Sequence, residues 1–266
     1  MERLLRKAVE VGRVQDGLDL LATASRLGEA TGAPEVEAVA LAAGFLQPSL
    51  VCLPSALASG GVEEYRRFGA ALEAARDVTA LTLPGFAGGP LPADAGVLVG
   101  ALADAASAVA GPVLVGRSVG AWLALAVAGE LERRGARPGA VVLIDGYVDG
   151  CVGGCSDGLA GVLTGMLEAG HQVQPVDDER LVAMGRYLDL AVAPQPVTAP
   201  VLLVGTGNRA WPRLSTTAQD VLTVPGDHFT VMEEHSAATA LAISTWLLDF
   251  TGYGAGLSEL RGKDHA

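Results

Sequence analysis

The pentad Gly-Arg-Ser-Val-Gly at residues 116–120 restricts the fold of this chain more than any other feature. It follows a short apolar run, residues 112–115, that is typical of a buried strand. The apolar residues 121–128 come directly after it and predict a helix. A serine in this strand–turn–helix context takes up strained dihedral angles, and small neighbours let strand and helix approach. We therefore expect the Ser118 hydroxyl at the carboxyl end of a strand, beside a helix N-terminus.

The pentad alone is weak evidence, because a chain with 35 glycines in 266 residues can form such a pattern by chance. The alternative is an ordinary glycine-rich turn in which Ser118 caps the helix. The flanking strand and helix favour a nucleophilic serine over that alternative.

From about residue 48 onward, the sequence alternates apolar strands with helical stretches. The predicted strands cover residues 50–53, 78–83, 112–115, 140–144, 201–204 and 221–224. The predicted helices cover residues 63–75, 97–109, 121–135, 179–190 and 236–248. Half of the residues are hydrophobic but only 5% are aromatic, so the core must consist mainly of Ala, Val and Leu. This pattern predicts an α/β fold with a mostly parallel sheet flanked by helices.

The chain divides into four segments by composition and periodicity. Residues 1–28 predict two short amphipathic helices, which either dock on the main domain or pair with another copy of themselves. Residues 29–47, rich in Ala, Gly and Glu, predict a linker. Residues 48–252 form the main domain, in which residues 146–170 are glycine-rich and show no clear strand. Residues 253–266 are a tail.

Charge and cysteine content limit the partners and the location. The net charge of −12 argues against a nucleic-acid partner and against an anionic membrane surface. No apolar run is long enough to span a bilayer, and the first residues lack a signal peptide, so we expect a cytoplasmic protein. Three cysteines do not suggest a disulfide framework, and Cys151 and Cys155 have no nearby histidine, so we expect no metal site.

A serine nucleophile needs a base, and His228 is the best candidate among four histidines. His228 follows the predicted strand 221–224 and precedes the final helix, so it lies at the same sheet edge as Ser118. The other three histidines lie near the closing helix, in the glycine-rich insert and in the tail (His235, His171 and His265).

The orienting carboxylate must come from an unusual place. In the α/β-hydrolase fold, which this arrangement resembles, the acid commonly follows the strand before the histidine strand. Here that loop, residues 205–209, contains no carboxylate. Asp145 directly ends the predicted strand 140–144 and is therefore our candidate, with Asp149 as the alternative. Asp227 adjoins the histidine, points elsewhere and shapes its loop.

An oxyanion hole requires two backbone N–H groups. Val119, the residue after the serine, supplies one of them in this type of turn. The other should come from the loop after the first predicted strand, where Ala56 is our choice and Leu57 the alternative.

Together these residues resemble the thioesterase domain at the end of modular type I polyketide synthases. The resemblance covers nearly the whole chain, and an acid at the position of Asp145 is a specific mark of that family. The matching segments are residues 4–8, 12–14, 83–86, 116–120, 141–147, 225–230 and 233–235.

The resemblance implies Ser118 as nucleophile, Asp145 as acid and His228 as base. It implies a helical lid formed by residues 147–190 and a homodimer formed through the first two helices. The substrate would be a polyketide chain on the phosphopantetheine arm of an acyl carrier protein, delivered by an upstream synthase module, and no cofactor would be needed. The chain would leave as a macrolactone or, by hydrolysis, as an acid. The alternatives are a discrete editing thioesterase, a general serine esterase, or an inactive hydrolase fold used for binding.

Two positions depart from the family pattern. The residue before the serine is usually histidine and here is Arg117, and the loop of Ala56 usually begins Pro-Gly and here begins Pro54-Ser55. We interpret Arg117 as part of a structural ion pair beneath the helix. The alternative is an effect on the substrate or on the shape of its channel.

Overall fold

The central element of the computed structural model is a parallel β-sheet with one antiparallel edge strand. The structure describes residues 1–27, 34–146, 156–169, 175–193, 195–207 and 218–250. Seven strands in these residues form the sheet: β1 (Ala38–Ala42), β2 (Gly44–Leu53), β3 (Ala74–Leu81), β4 (Val113–Arg117), β5 (Ala140–Ile144), β6 (Val201–Thr206) and β7 (Asp220–Val224). Their spatial order is β1-β3-β2-β4-β5-β6-β7, and only β1 runs antiparallel to its neighbour. The predicted α/β architecture is therefore confirmed.

Helices cover both faces of this sheet. They are α1 (Glu2–Glu10), α2 (Val14–Leu27), α3 (Arg66–Ala71), α4 (Ala95–Ala106), α5 (Val119–Arg133), α6 (Ser156–Ala169), α7 (Asp178–Asp189) and α8 (Ser236–Phe250), with short 3₁₀ helices at Val62–Tyr65 and Thr230–Met232. Side chains of β4 alternate between two cores, as expected for a strand that is buried on both sides: Leu114 packs in one core, and Val113 and Val115 pack in the other. In the described part of the chain, no helix is long and apolar enough to cross a membrane.

The predicted linker at residues 29–47 is wrong for its described part. β1 and the first residues of β2 lie there, and β1 pairs with β3 along the sheet edge. Gly44 allows a close backbone approach, because a Cβ on it would lie 2.1 Å from the backbone nitrogen of Arg76. The small residues of β1 do not alternate clearly between apolar and polar, so the sequence gives no strand signal there. The strand forms because it pairs with β3.

One helix prediction also needs correction. The predicted helix 63–75 is shorter, because α3 ends at Ala71 and β3 begins at Ala74, where φ is +61°. The glycine-rich residues 146–170, which show no clear strand and lie largely in the predicted helical lid, contain α6. Glycines lower helix propensity, but packing against neighbouring helices compensates for that loss.

The two N-terminal helices dock on the helices between β5 and β6. α2 packs on α7, and α1 contacts α6. A Cβ on Gly185 of α7 would lie 2.6 Å from the backbone of Leu21, so the two helices approach very closely at this point. Arg6 also donates a hydrogen bond to the carbonyl of Leu167, at 3.1 Å. Of the two alternatives that the sequence leaves open, docking within the chain is therefore observed.

The close approach of α2 and α7 predicts that Gly185→Ala destabilises the protein. The added methyl group would collide with Leu21 backbone, and we expect a loss of about 1 to 3 kcal/mol in unfolding free energy. The matched control is Gly100→Ala in α4, where the new Cβ would meet only the end of Arg134 at 3.6 Å. That variant should gain up to about 1 kcal/mol from helix propensity. Urea denaturation followed by circular dichroism measures the unfolding free energy of each variant. Equal unfolding free energies for Gly185→Ala and the wild type would contradict the prediction.

Candidate active site

Ser118 and Asp145 lie side by side at the carboxyl edge of the sheet. Arg117 and Ile144 are register partners at the ends of β4 and β5, so the residues that follow them emerge together. The Ser118 N–H donates to the Ile144 carbonyl at 3.1 Å, which continues the strand pairing by one residue. His228 lies in the loop after β7, residues 225–229, which we name the β7 loop. Its Nδ1 is 2.6 Å from Asp145 Oδ2.

The backbone is strained at three of the predicted site residues. φ is +54° at Ser118, +46° at Asp145 and +55° at Ala56, all in the left-handed region that favours glycine. Strain of this kind persists only where the surrounding structure imposes it, and it concentrates at functional sites. The strained turn at Ser118 is the one that the pentad predicts.

The two glycines of the pentad are required by close contacts. A Cβ on Gly116 would lie 2.2 Å from the Gly120 carbonyl oxygen. A Cβ on Gly120 would lie 2.2 Å from the Pro54 carbonyl oxygen, in the loop of residues 54–57 after β2, which we name the β2 loop. Glycine at these positions therefore brings the serine turn, residues 116–120, against both α5 and the β2 loop.

The pair of Asp145 and His228 is almost fully buried. Burial lowers the pKa of His228, since the imidazolium is poorly solvated there. The hydrogen bond to Asp145 opposes this shift, and the positive charge of Arg117 adds to it. The histidine is therefore neutral at pH 7, and donation from Nδ1 to Asp145 makes Nε2 the basic nitrogen.

Ser118 is 1% exposed, and its Oγ has no hydrogen-bond partner among the described residues. The structure thus brings Asp145 and His228 into contact and places Ser118 on the adjacent strand end. Hydrogen bonds of such sites are often loose before substrate binds.

Of the other candidate acids and bases, only Asp227 and His235 lie in the described part of the chain. Asp227 accepts hydrogen bonds from the backbone N–H groups of Phe229 and Thr230, at 2.9 and 3.0 Å, and so shapes the β7 loop as expected. Asp149 lies outside the described residues, as do His171 and His265. His235 immediately precedes α8, and its backbone carbonyl accepts from Thr239 at 3.0 Å.

The two predicted oxyanion donors have suitable surroundings. Ala56 makes no backbone hydrogen bond among the described residues, whereas the Leu57 N–H points to Ser55 Oγ at 3.4 Å. This contact favours Ala56 over the alternative. Val119 is the first residue of α5, where N–H groups have no partner inside the helix.

Glu64 is an important residue that the sequence does not reveal. Its carboxylate accepts from Arg117 Nη1 at 2.9 Å, from Ser55 Oγ at 2.7 Å and from the Gly61 N–H at 2.9 Å. Glu64 is 3% exposed and Arg117 7%. The predicted structural ion pair of Arg117 therefore exists. No signal in the sequence separates Glu64 from its exposed neighbour Glu63.

Thr206 is a second residue of the site that the sequence does not reveal. It ends β6, where the acid commonly stands in this fold, and its Oγ1 donates to Asp145 Oδ1 at 3.4 Å. A hydroxyl at this position supports the carboxylate that the neighbouring strand supplies.

A pocket of about 180 Å³ opens beside the β2 loop. Its lining includes Ala56, Leu57, Leu83, Phe86 and Arg180. Arg180 comes from α7 and donates to the carbonyls of Ala58 and Phe86, at 2.5 and 2.8 Å, with its guanidinium 5.5 Å from the Phe86 ring centre. Through Arg180, α7 is attached to the wall of this pocket.

Comparison with known proteins agrees with this geometry. A family model described as "Thioesterase domain" matches residues 48–151. The chain is 35% identical to the spectinabilin polyketide synthase system protein NorC of Streptomyces orinoci, over 92% of this chain and 12% of that protein. It is 33% identical to the erythronolide synthase EryA3 of Saccharopolyspora erythraea, over 91% of this chain and 8% of that protein. The chain thus corresponds to a small part of each relative.

Solved structures with the same fold include thioesterases. The Vlm2 thioesterase domain has a TM-score of 0.58 at 19% identity, covering 80% of this chain and 98% of that one. The RedJ thioesterase from the prodiginine pathway of Streptomyces coelicolor has a TM-score of 0.57 at 23% identity, covering 74% and 89%. At these identities the likeness concerns the fold.

The family match identifies a thioesterase domain, which belongs to a family of serine hydrolases, and the solved structures show that the fold is the α/β-hydrolase fold. Within that class, the similarity over nine-tenths of the sequence shows that the chain belongs to the thioesterase domains of modular polyketide synthases.

Proposed function

We propose that this domain releases a polyketide chain from an acyl carrier protein, with Ser118 as nucleophile, His228 as base and Asp145 as orienting acid. The observation that carries the proposal is the 2.6 Å contact between His228 Nδ1 and Asp145 Oδ2, beside the strained Ser118. The similarity to polyketide synthases supports the substrate class. The domain uses no cofactor of its own, because the substrate arrives on the phosphopantetheine arm of its carrier.

The proposed reaction begins with acyl transfer to the serine. His228 Nε2 takes the Ser118 proton while Oγ forms a bond to the thioester carbonyl carbon. The backbone N–H groups of Ala56 and Val119 stabilise the resulting oxyanion. The carbon–sulfur bond then breaks, and the imidazolium returns its proton to the phosphopantetheine thiolate. Asp145 stabilises the imidazolium throughout.

The second half-reaction releases the chain from Ser118. A hydroxyl attacks the ester carbonyl as His228 removes its proton, and the serine leaves with that proton restored. Water as the attacking group gives an acid, and a hydroxyl of the bound chain gives a macrolactone. The helices α6 and α7, in the predicted lid at residues 147–190, determine which group reaches the ester. The attachment of α7 to the pocket wall through Arg180 supports that role.

Ser118→Ala should abolish the acyl-enzyme, since the attacking oxygen is removed. A fluorophosphonate probe should label the wild-type protein at Ser118, and intact-protein mass spectrometry should detect no label on the variant. Ser107→Ala, at the exposed end of α4, is the matched control and should label like the wild type. Equal labelling of Ser118→Ala would reject the proposed nucleophile.

We favour the macrolactone as the product. A thioester mimic of a hydroxylated polyketide chain, incubated with the protein, should then yield a product 18 mass units lighter than the free acid. Mass spectrometry of the products separates the two outcomes directly. Formation of acid alone from several such chains would identify the domain as a hydrolytic thioesterase.

We further propose that α1 and α2 form a homodimer interface. Their inner faces are used in docking, yet Leu4, Val11 and Leu20 are 53%, 51% and 40% exposed. Apolar side chains exposed on adjacent short helices favour association with a second copy. The carrier protein and the upstream synthase module would then meet a dimeric domain.

The dimer proposal predicts that Leu20→Glu shifts the protein toward the monomer. A buried charge on each side of the interface would oppose association. Leu241→Glu, at a residue of α8 that is 68% exposed, is the control and should leave the dimer intact. Sedimentation equilibrium at micromolar concentration measures the molecular mass of both variants and of the wild type. A wild-type protein with the mass of one chain would contradict the proposal.

A further inference from the structure

We propose that Arg117 and Glu64 form a positioning pair, which holds the serine turn, the β2 loop and the β7 loop in one fixed arrangement. Neither residue is expected to touch the substrate. The proposal rests on the proposed function, because it concerns the geometry of the same nucleophile, base and oxyanion donors. The hydrogen bonds of the buried Arg117 and Glu64 side chains carry it.

Arg117 connects the serine turn to the β7 loop. It directly precedes Ser118, and its Nη2 donates to the backbone carbonyl of His228 at 2.5 Å. This contact fixes the main chain at the histidine, while Asp145 fixes the ring through Nδ1. Main chain and side chain of His228 are therefore held from two different strands, β4 and β5.

Glu64 connects the same arginine to the β2 loop. One carboxylate oxygen accepts from Arg117 Nη1, and the other accepts from both the N–H and the hydroxyl of Ser55, at 3.2 and 2.7 Å. Ser55 directly precedes Ala56, the proposed oxyanion donor. A shift of Glu64 would therefore move that donor relative to Ser118.

The two oxygens of Glu64 have no freedom to rearrange. The oxygen that binds Ser55 also accepts from the Gly61 N–H at 2.9 Å, and a Cβ on Gly60 would lie 2.3 Å from it. A carboxylate with so many fixed donors is a rigid connection rather than a flexible surface pair. Misplacement of a catalytic group by about 1 Å can reduce a rate roughly 100-fold.

The charges of the pair also act on His228. The charged groups that act on its imidazole are Asp145 at the end of β5, Arg117 at the end of β4 and Glu64 in the 3₁₀ helix. Asp227, in its own loop, accepts backbone hydrogen bonds instead. The charge of Arg117 lowers the pKa of His228, and the charge of Glu64 raises it. Neutralising one or the other should therefore shift the pKa in opposite directions.

The test compares Arg117→Met, Glu64→Gln and the double variant in the whole domain. Hydrolysis of a p-nitrophenyl ester gives kcat and KM between pH 5 and 9, and circular dichroism checks folding. We expect each single variant to lose about 10- to 100-fold in kcat with little change in KM, because substrate contacts remain. The acidic limb of the pH profile should move to higher pH in Arg117→Met and to lower pH in Glu64→Gln.

The double variant keeps the test valid if a single variant fails to fold, because it leaves no buried charge unpaired. It should fold and still lose about 10- to 100-fold in kcat, since the link to His228 is absent. Arg66→Met is the matched control, because Arg66 forms a solvent-exposed ion pair with Glu63, the residue next to Glu64. Its kcat should equal that of the wild type.

Wild-type kcat and an unchanged pH profile in a folded double variant would overturn the positioning role and leave a purely structural ion pair. Limbs that move in the same direction in the two single variants would also contradict it. Failure of the proposed function looks different: the wild-type protein itself would then neither hydrolyse the ester nor take up a fluorophosphonate label at Ser118.

Discussion

The parallel pairing of β4 with β5 is the constraint on which the site depends. The register of Arg117 with Ile144 brings Ser118 and Asp145 to the same point of the sheet edge, and both leave their strands in a left-handed conformation. An acid that follows β5 is therefore one strand away from the serine. Thr206, at the end of the next strand, then needs only a hydroxyl, which supports Asp145.

A buried arginine beside a histidine is unfavourable unless its charge is balanced. Glu64 supplies that balance at 2.9 Å, and removal of one member of such a pair typically costs about 3 to 5 kcal/mol. The two departures from the family pattern, at Ser55 and Arg117, both bind this one carboxylate. They are therefore explained as parts of a single buried network rather than as separate substitutions.

Residues with a strong local signal could be predicted from the sequence. The pentad, the strand that ends at Asp145 and the loop of His228 each combine a side chain with a recognisable strand end. β1 could not be predicted, because an alanine-rich edge strand has little periodic contrast and forms only by pairing with β3. The bounds of α6 within the predicted helical lid could not be predicted either, because its glycines weaken the helical signal and packing rather than propensity stabilises it.

The sequence by itself determined the alternation of strands and helices from β2 onward, the strained serine turn and the candidates Ser118, Asp145 and His228, because local patterns encode strands, helices and tight turns. Only the tertiary structure decided that Glu64, 53 residues before Arg117 in the chain, is its partner. It also decided that α2 packs on α7, where the lack of a side chain at Gly185 allows the close approach of Leu21. These contacts join residues far apart in sequence. Their partners become known only when the sheet and its covering helices fix the distances between them.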